Sequence, residues 1–256
     1  MRRARFTVAY DGTEFSGFAE QVGVRTVLRD LRTALERVAR QPIDMVGAGR
    51  TDAGVHGWGQ VVSCDLPQGM DLNGLQRRLN SMCGPQIAVR DIAWVDDDDF
   101  SARFSATYRH YRYHVLNARE PNPFTARTAW HVIEPLQLWA MNLACDSLIG
   151  EHDFTSFCRK PKLPPGAREK SMVRRVISAD WKVVPGDDHP GLLRFEIRAN
   201  AFCHQMVRSI VGTLVDVGMG KIHAGDVRGI LVRKDRQVAR QVAPPHGLVL
   251  WEVGYS

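Results

Sequence analysis

Residues 27–40 read VLRDLRTALERVAR. Val27, Leu31, Ala34, Leu35 and Val38 recur at the spacing of one helical face, and Arg29, Arg32, Glu36, Arg37 and Arg40 fall on the other. An apolar stripe backed by a charged one specifies an amphipathic helix that must cover something. Thr26 stands where an N-cap belongs. Ahead of this helix the period is two: Phe6, Val8 and Tyr10 alternate through residues 4–10 and stop at an Asp11-Gly12 turn, as a strand does. Behind it, Ile43–Val46 and Val61–Leu66 read as strands flanking a glycine-rich loop. Residues 71–82 return to helical spacing (Leu72, Leu75, Leu79) with Asp71 as cap, and Ile87, Val89, Ile92 and Trp94 make a further strand. The order β-α-β-β-α-β is that of a split βαβ unit.

After the acidic run Asp96–Asp99 the same order recurs in longer form. A strand spans Thr107–Leu116 and a helix Leu136–Ile149; strands follow at Val173–Val184 and Leu192–Ala199. An apolar helix covers Ala201–Val217, a shorter one starts near Asp226, and a strand at Leu248–Val253 closes the chain. The expectation is an α+β fold of two split-βαβ, ferredoxin-like halves. Each has a mixed, largely antiparallel sheet with helices on one face, and a catalytic cleft lies between them. Residues 1–103 form the first domain and 104–256 the second. The segment Arg159–Lys170, with its prolines and basic side chains, reads as an exposed loop.

The chain has 256 residues, with 34 lysines and arginines against 28 acids, a net charge of +6 and a pI of 9.3. That excess is compatible with a polyanionic partner without demanding one. The five cysteines are scattered, odd in number and never in a C-x-x-C pair. This argues against a disulfide framework and a thiolate zinc site, and suits a reducing cytoplasm. The basic start MRRARFTVAYDG has too short an apolar stretch for a signal peptide, so a soluble cytoplasmic protein is expected.

Three segments can carry chemistry. In GAGRTDAGVHGWGQ, residues 47–60, five glycines surround Asp52, which lies between Arg50 and His56. Asp and Gly are common turn residues on conformational grounds alone. Alternatively the glycines place a carboxylate, a nearby cation favours its charged form, and it serves as a covalent nucleophile. In YRHYRYH, residues 108–114, strand alternation puts Arg109, Tyr111 and Tyr113 on one side and Tyr108, His110, Arg112 and His114 on the other. Interleaved aromatics and cations suit nucleotide stacking, but tyrosine is also simply a good strand former. His110 and His114 have a zinc-like spacing only on a helix, so metal binding is not expected. In FCHQMVRSIVG, residues 202–212, Arg208 emerges from an apolar helix with His204 one turn away. It is either a snorkelling surface residue or an anchored counter-ion. Arg29, Arg32, Arg37, Arg40, Lys160, Lys162, Arg168, Lys170, Arg174 and Arg175 are candidate phosphate contacts if they share a face.

Four blocks carry a resemblance: GAGRTDAGVHGWGQ, FSARFSATYRHYRY (100–113), LIGEHDFTSF (148–157) and FCHQMVRSIVGTL (202–214). Together, in this order and spacing, they resemble the bacterial tRNA pseudouridine synthase A family. The resemblance implies a homodimer that isomerises uridine to pseudouridine at positions 38, 39 and 40 of the tRNA anticodon stem-loop, with no cofactor and no metal. It puts the family's nucleophilic aspartate at Asp52, its active-site tyrosine at Tyr111 and the arginine that pairs with the aspartate at Arg208. Substrate contacts are expected from Arg50, His56, Arg109 and Tyr111. Asp52, Tyr111 and Arg208 should then converge on one cleft. One departure is visible. Where the family often has G-W-Q-x-Q, this chain has Gly17-Phe-Ala-Glu-Gln21, which alters possible RNA contacts. Two other readings stand beside this one. A non-catalytic RNA-binding module would be indifferent to loss of Asp52, and a metal-dependent hydrolase built on Asp52 and His56 would be sensitive to EDTA.

Overall fold

The computed structural model describes residues 1–160, 171–186 and 190–255. In chain order its elements are β1 (Arg2–Tyr10), α1 (Val27–Ala39), β2 (Met45–Gly47), β3 (His56–Leu66), α2 (Leu72–Cys83), β4 (Ile87–Trp94), β5 (Ala106–Asn117), β6 (Trp130–Val132), α3 (Leu138–Cys145), β7 (Gly150–Asp153), β8 (Val173–Val183), β9 (Leu192–Ala199), α4 (Met206–Gly218), α5 (Asp226–Arg233) and β10 (Leu248–Tyr255). The chain forms two compact units, Met1–Tyr108 with Val249–Ser256, and Arg109–Leu248. The sequence reading put the boundary at 103/104 and gave the closing strand to the second half. In the structure that strand sits with the first unit, because β10 pairs in parallel with β3, Val249 opposite His56.

In the first unit β1 lies between β4 and β3, antiparallel to both. The far edge of β3 is shared: β2 pairs with Val62–Cys64 and β10 with His56–Gly57. The order β4-β1-β3-β2 is what a split βαβ unit requires, since each crossover skips one strand. Phe6, Val8, Val62, Cys64, Ile87 and Val89 of the sheet are buried with Leu31 and Leu35 of α1 and Leu75 and Leu79 of α2. Each fully buried leucine contributes about 1.5–3 kcal/mol. Thr26 and Asp71 occupy the N-cap positions, yet neither side chain caps its helix. The Thr26 hydroxyl is buried without a hydrogen-bond partner; this position is packed, with Thr26 fully buried.

In the second unit β9 lies between β5 and β8, antiparallel to both, so β5, β9 and β8 repeat the arrangement of β1, β3 and β2. Two short strands went unread in the sequence. β6 pairs in parallel with Val115–Asn117, and β7 extends the sheet beyond β8. Strands of three or four residues are too brief to show a period. The helix expected at 136–149 is α3 followed by a 3-10 turn, Asp146–Leu148. The helix expected from Ala201 starts only at Met206, because Gln205 is left-handed at φ 62° and cannot continue it upstream. Twelve of the thirteen residues of α4 are buried, and the exception is Arg208. No helix of the described residues is long and apolar enough to cross a membrane. Most of the basic loop expected at Arg159–Lys170, with Lys162, Arg168 and Lys170, lies outside the described residues.

Candidate active site

Asp52 lies in the first unit, half-buried, on the loop that joins β2 to β3. That loop is tied down residue by residue to the segment that follows β1. The Phe18 amide donates to the Thr51 carbonyl at 3.2 Å and the Gly54 amide to the Phe15 carbonyl at 3.3 Å, while within the loop the Val55 amide donates to the Asp52 carbonyl at 3.1 Å. The Tyr10 and Thr51 hydroxyls are 2.8 Å apart, with both residues buried. Gln60, fully buried, donates from its amide to the Gly49 carbonyl at 2.8 Å. The backbone on either side of Asp52 therefore has little freedom.

Sequence reasoning credited five loop glycines with this placement. Of these, Gly54 takes a positive φ, 76°, while Gly57 seats the Tyr10 ring. Two glycines outside the loop matter as much and were missed. Gly17, at φ 104°, brings its backbone so near Thr51 that a Cβ would meet the Thr51 carbonyl oxygen at 2.7 Å. A Cβ on Gly12 would meet the Val55 carbonyl oxygen at 2.0 Å. The signal for both was present: Asp11-Gly12 was read as a turn, and Gly17 as the start of the atypical G-F-A-E-Q stretch. In that stretch Phe18 is buried and its ring lies 5.8 Å from that of Tyr10. Glu20 pairs with Arg32 at 2.9 Å, which engages one of the candidate phosphate contacts.

Arg50 is exposed beside the loop. His56 is buried, and its Nδ1 accepts the Gly12 amide at 3.1 Å. The same Nδ1 lies 3.1 Å from Asp11 Oδ1. Asp11 Oδ1 meanwhile accepts from the amide and hydroxyl of Thr13. His56 thus joins the loop to the turn after β1.

Tyr111 and Arg208 lie in the second unit. Tyr111 is 7% exposed on β5, opposite Ile197, and Phe202 meets its ring edge-on at 5.0 Å between centroids. Such a contact fixes the plane of the tyrosine ring. Tyr113, two residues on, is a core residue: its hydroxyl donates to the Pro244 carbonyl at 2.8 Å, and Gly247 leaves room for its ring. Burial pushes the Tyr113 phenol above its ordinary range, against the opposing charge of Arg208. Arg208 Nε donates to the Ala243 carbonyl at 2.8 Å, and the Ala243 amide returns a bond to the Arg208 carbonyl. Arg208 is thus held against the segment that precedes the closing strand. His204 is exposed and precedes α4, so it is not a helical neighbour of Arg208. Arg109 is half-buried and donates to the Asn200 carbonyl at 2.9 Å.

On the other side of β5 and β9, Glu196 is surrounded by Arg194 at 2.7 Å, Arg112 at 3.2 Å and His110 at 3.2 Å. Burial works to raise its carboxyl, but Arg112, Arg194 and His110 outweigh that and hold it below the ordinary value. The basic residues of this strand face are thus committed to an internal carboxylate, which the Tyr-Arg-His alternation did not reveal.

Comparison with known proteins gives the same direction in both units. A family model described as tRNA pseudouridine synthase matches residues 7–105 and 144–256, spanning the Asp52 loop and α4. The chain is 40% identical over 255 residues to tRNA pseudouridine synthase A of Brevibacillus brevis, covering 100% of both chains. It is 38% identical over 256 residues to the proteins of that name from Bacillus pumilus and Bacillus subtilis, covering 99% of each chain. With a family model that matches most of its length and relatives aligned from end to end, the chain belongs to the tRNA pseudouridine synthase family.

Proposed function

We propose that this chain isomerises uridine to pseudouridine at positions 38, 39 and 40 of the tRNA anticodon stem-loop, with Asp52 as the nucleophile. The observation that carries the reading is the match to the family model, whose span includes the loop that holds Asp52, together with relatives aligned over nearly the whole chain. The reaction breaks the N1–C1′ bond of uridine, forms C5–C1′, moves a proton off C5 and returns one to N1. It is redox-neutral, and its central demand is a group that retains one fragment while the uracil turns over. A carboxylate on a backbone tied at Thr51, Asp52 and Gly54 suits that demand, because a pre-positioned nucleophile avoids the entropic cost of finding its target.

The remaining roles follow from the same proposal. The target nucleotide leaves its stack, and Tyr111, its ring held edge-on by Phe202, receives the base. Arg208, held by Ala243, serves as counter-ion to Asp52. Arg50 and Arg109 engage the nucleotide backbone, and His56 acts through the loop it anchors. RNA stems are read mainly through shape and phosphate contacts, which dispersed surface cations supply. The working assembly is a homodimer in the cytoplasm; Trp139 and Leu143, one turn apart on α3, are exposed and supply an apolar face for association.

The test uses unmodified tRNA transcript tritiated at uracil C5. Forming the C5–C1′ bond releases that tritium to water, and carbodiimide-blocked primer extension maps the product. Release confined to positions 38–40, lost in Asp52→Ala with tRNA binding kept, is the expected result. Tritium release that survives Asp52→Ala would remove Asp52 from the chemistry.

A further inference from the structure

The five cysteines are scattered along the sequence, but the fold brings two of them near each other within the second unit. Cys158 follows the 3-10 turn Thr155–Phe157 and is fully buried, while Cys203 is partly exposed in the turn before α4. The Arg159 amide donates to the His204 carbonyl at 3.0 Å, so the residues next to both cysteines run side by side. The Cys158 and Cys203 side chains lie close enough to influence each other electrostatically, and Arg174 of β8 acts on Cys203 as well. Cys203 also adjoins Phe202, the residue that meets Tyr111.

We propose that Cys203 and Cys158 form a peroxide-reactive dithiol, in which a hydroperoxide oxidises Cys203 and Cys158 resolves it to an intramolecular disulfide. The Cys203 sulfur attacks the peroxide, the O–O bond breaks, and Cys203 becomes a sulfenic acid as hydroxide leaves and is protonated to water. The Cys158 sulfur then attacks Cys203, the S–O bond breaks, the S–S bond forms, and the proton lost by Cys158 leaves with the hydroxyl as a second water. Two electrons pass from the thiols to one peroxide, and the sum is two thiols plus hydrogen peroxide giving a disulfide and two waters.

The other cysteines are poorer reagents. Burial pushes Cys64 up to about 12 and raises Cys145 further still. Cys83 is partly exposed, but burial and the nearby Asp30 raise it. Cys203 moves the other way, to about 7, because Cys158 donates its S–H and Arg174 adds positive charge, against the effect of burial. A thiolate that is both available and partly exposed reacts first.

The experiment treats the full-length protein with hydrogen peroxide at neutral pH, blocks remaining thiols with N-ethylmaleimide, and digests it for mass spectrometry. The expected product is a Cys158–Cys203 linked peptide lacking two hydrogens. The free-thiol count should fall by two from five and recover with dithiothreitol. Cys158→Ser should lose the disulfide and accumulate a dimedone-reactive sulfenic acid at Cys203, whereas Cys203→Ser should leave Cys158 reduced. Retention of all five thiols, or first reaction at Cys83, would overturn the proposal. Pseudouridine formation should fall with oxidation and return on reduction, because the cross-link pins the turn beneath Phe202. That arm rests on the proposed isomerase activity. The thiol count does not, so failure of one reading is separable from failure of the other.

Discussion

The hydroxyl pair Tyr10–Thr51 offers a direct test of how firmly the Asp52 loop is held. The oxygens are 2.8 Å apart, and both residues are less than a tenth exposed. Tyr10→Phe strips Thr51 of that partner, and Thr51→Val does the reverse; leaving one buried hydroxyl without its mate costs about 1–3 kcal/mol. In a chain of this size each kcal/mol lowers Tm by about 2–4 °C, so either single variant should melt roughly 2–12 °C early. The double variant removes both polar groups and should be less damaged than the sum, with a coupling of about 1 kcal/mol. Turnover should fall by about tenfold in each single variant, less than the roughly 10²-fold loss from a full ångström of misplacement, because the Phe18 amide still holds the Thr51 carbonyl. Thermal denaturation of the four proteins and tritium release from labelled tRNA measure the two arms. Strictly additive losses in Tm, or single variants with unaltered turnover, would show that this contact does not position the loop.

Asp52→Asn should reduce turnover by at least about 10³-fold while tRNA affinity, read by filter binding, holds within about threefold. Tyr111→Phe should retain tRNA affinity that Tyr111→Ala loses, and equal losses would contradict a stacking role. Gly12→Ala forces a Cβ against the Val55 carbonyl and should destabilise the protein by about 1–3 kcal/mol with reduced, not abolished, turnover; a normal Tm would show that the two segments separate freely. The Glu196 carboxyl sits below its ordinary 4.5 in the folded state, so its contribution to stability is complete above about pH 4.5 and fades as pH drops through the folded value. Glu196→Gln should therefore melt earlier than wild type near pH 7, with the two Tm curves closing at acid pH. Parallel curves across that range would refute the assignment.

The parts of the fold legible in the sequence were those whose signal is local. The alternation of Phe6, Val8 and Tyr10 and the stripe from Val27 to Val38 report which face of β1 and α1 is buried, and the first unit follows the order so read, while the strand read as closing the second half sits with the first unit. Strands β6 and β7 were missed because three or four residues carry no period. The N-terminus of α4 was misplaced because a left-handed Gln205 leaves no mark in an apolar pattern. Within the candidate site, the composition of the loop singled out Asp52 but not its fastenings. Tyr10, Gly12 and Gly17 precede it by a whole helix and strand, and only the pairing of distant segments reveals their contacts.

The residues by themselves determined the class of fold, because periodicity is a property of neighbours along the chain, and four sequence blocks carried the resemblance to the family. Tertiary structure decided which of several plausible side chains are committed elsewhere. It turned His56 toward the Gly12 amide, surrounded Glu196 with the cations of β5 and β9, anchored Arg208 on Ala243, and brought Cys158 near Cys203. The physical reason is that hydrogen bonds, ion pairs and thiol contacts act over a few ångströms, and packing alone sets which remote groups come that close.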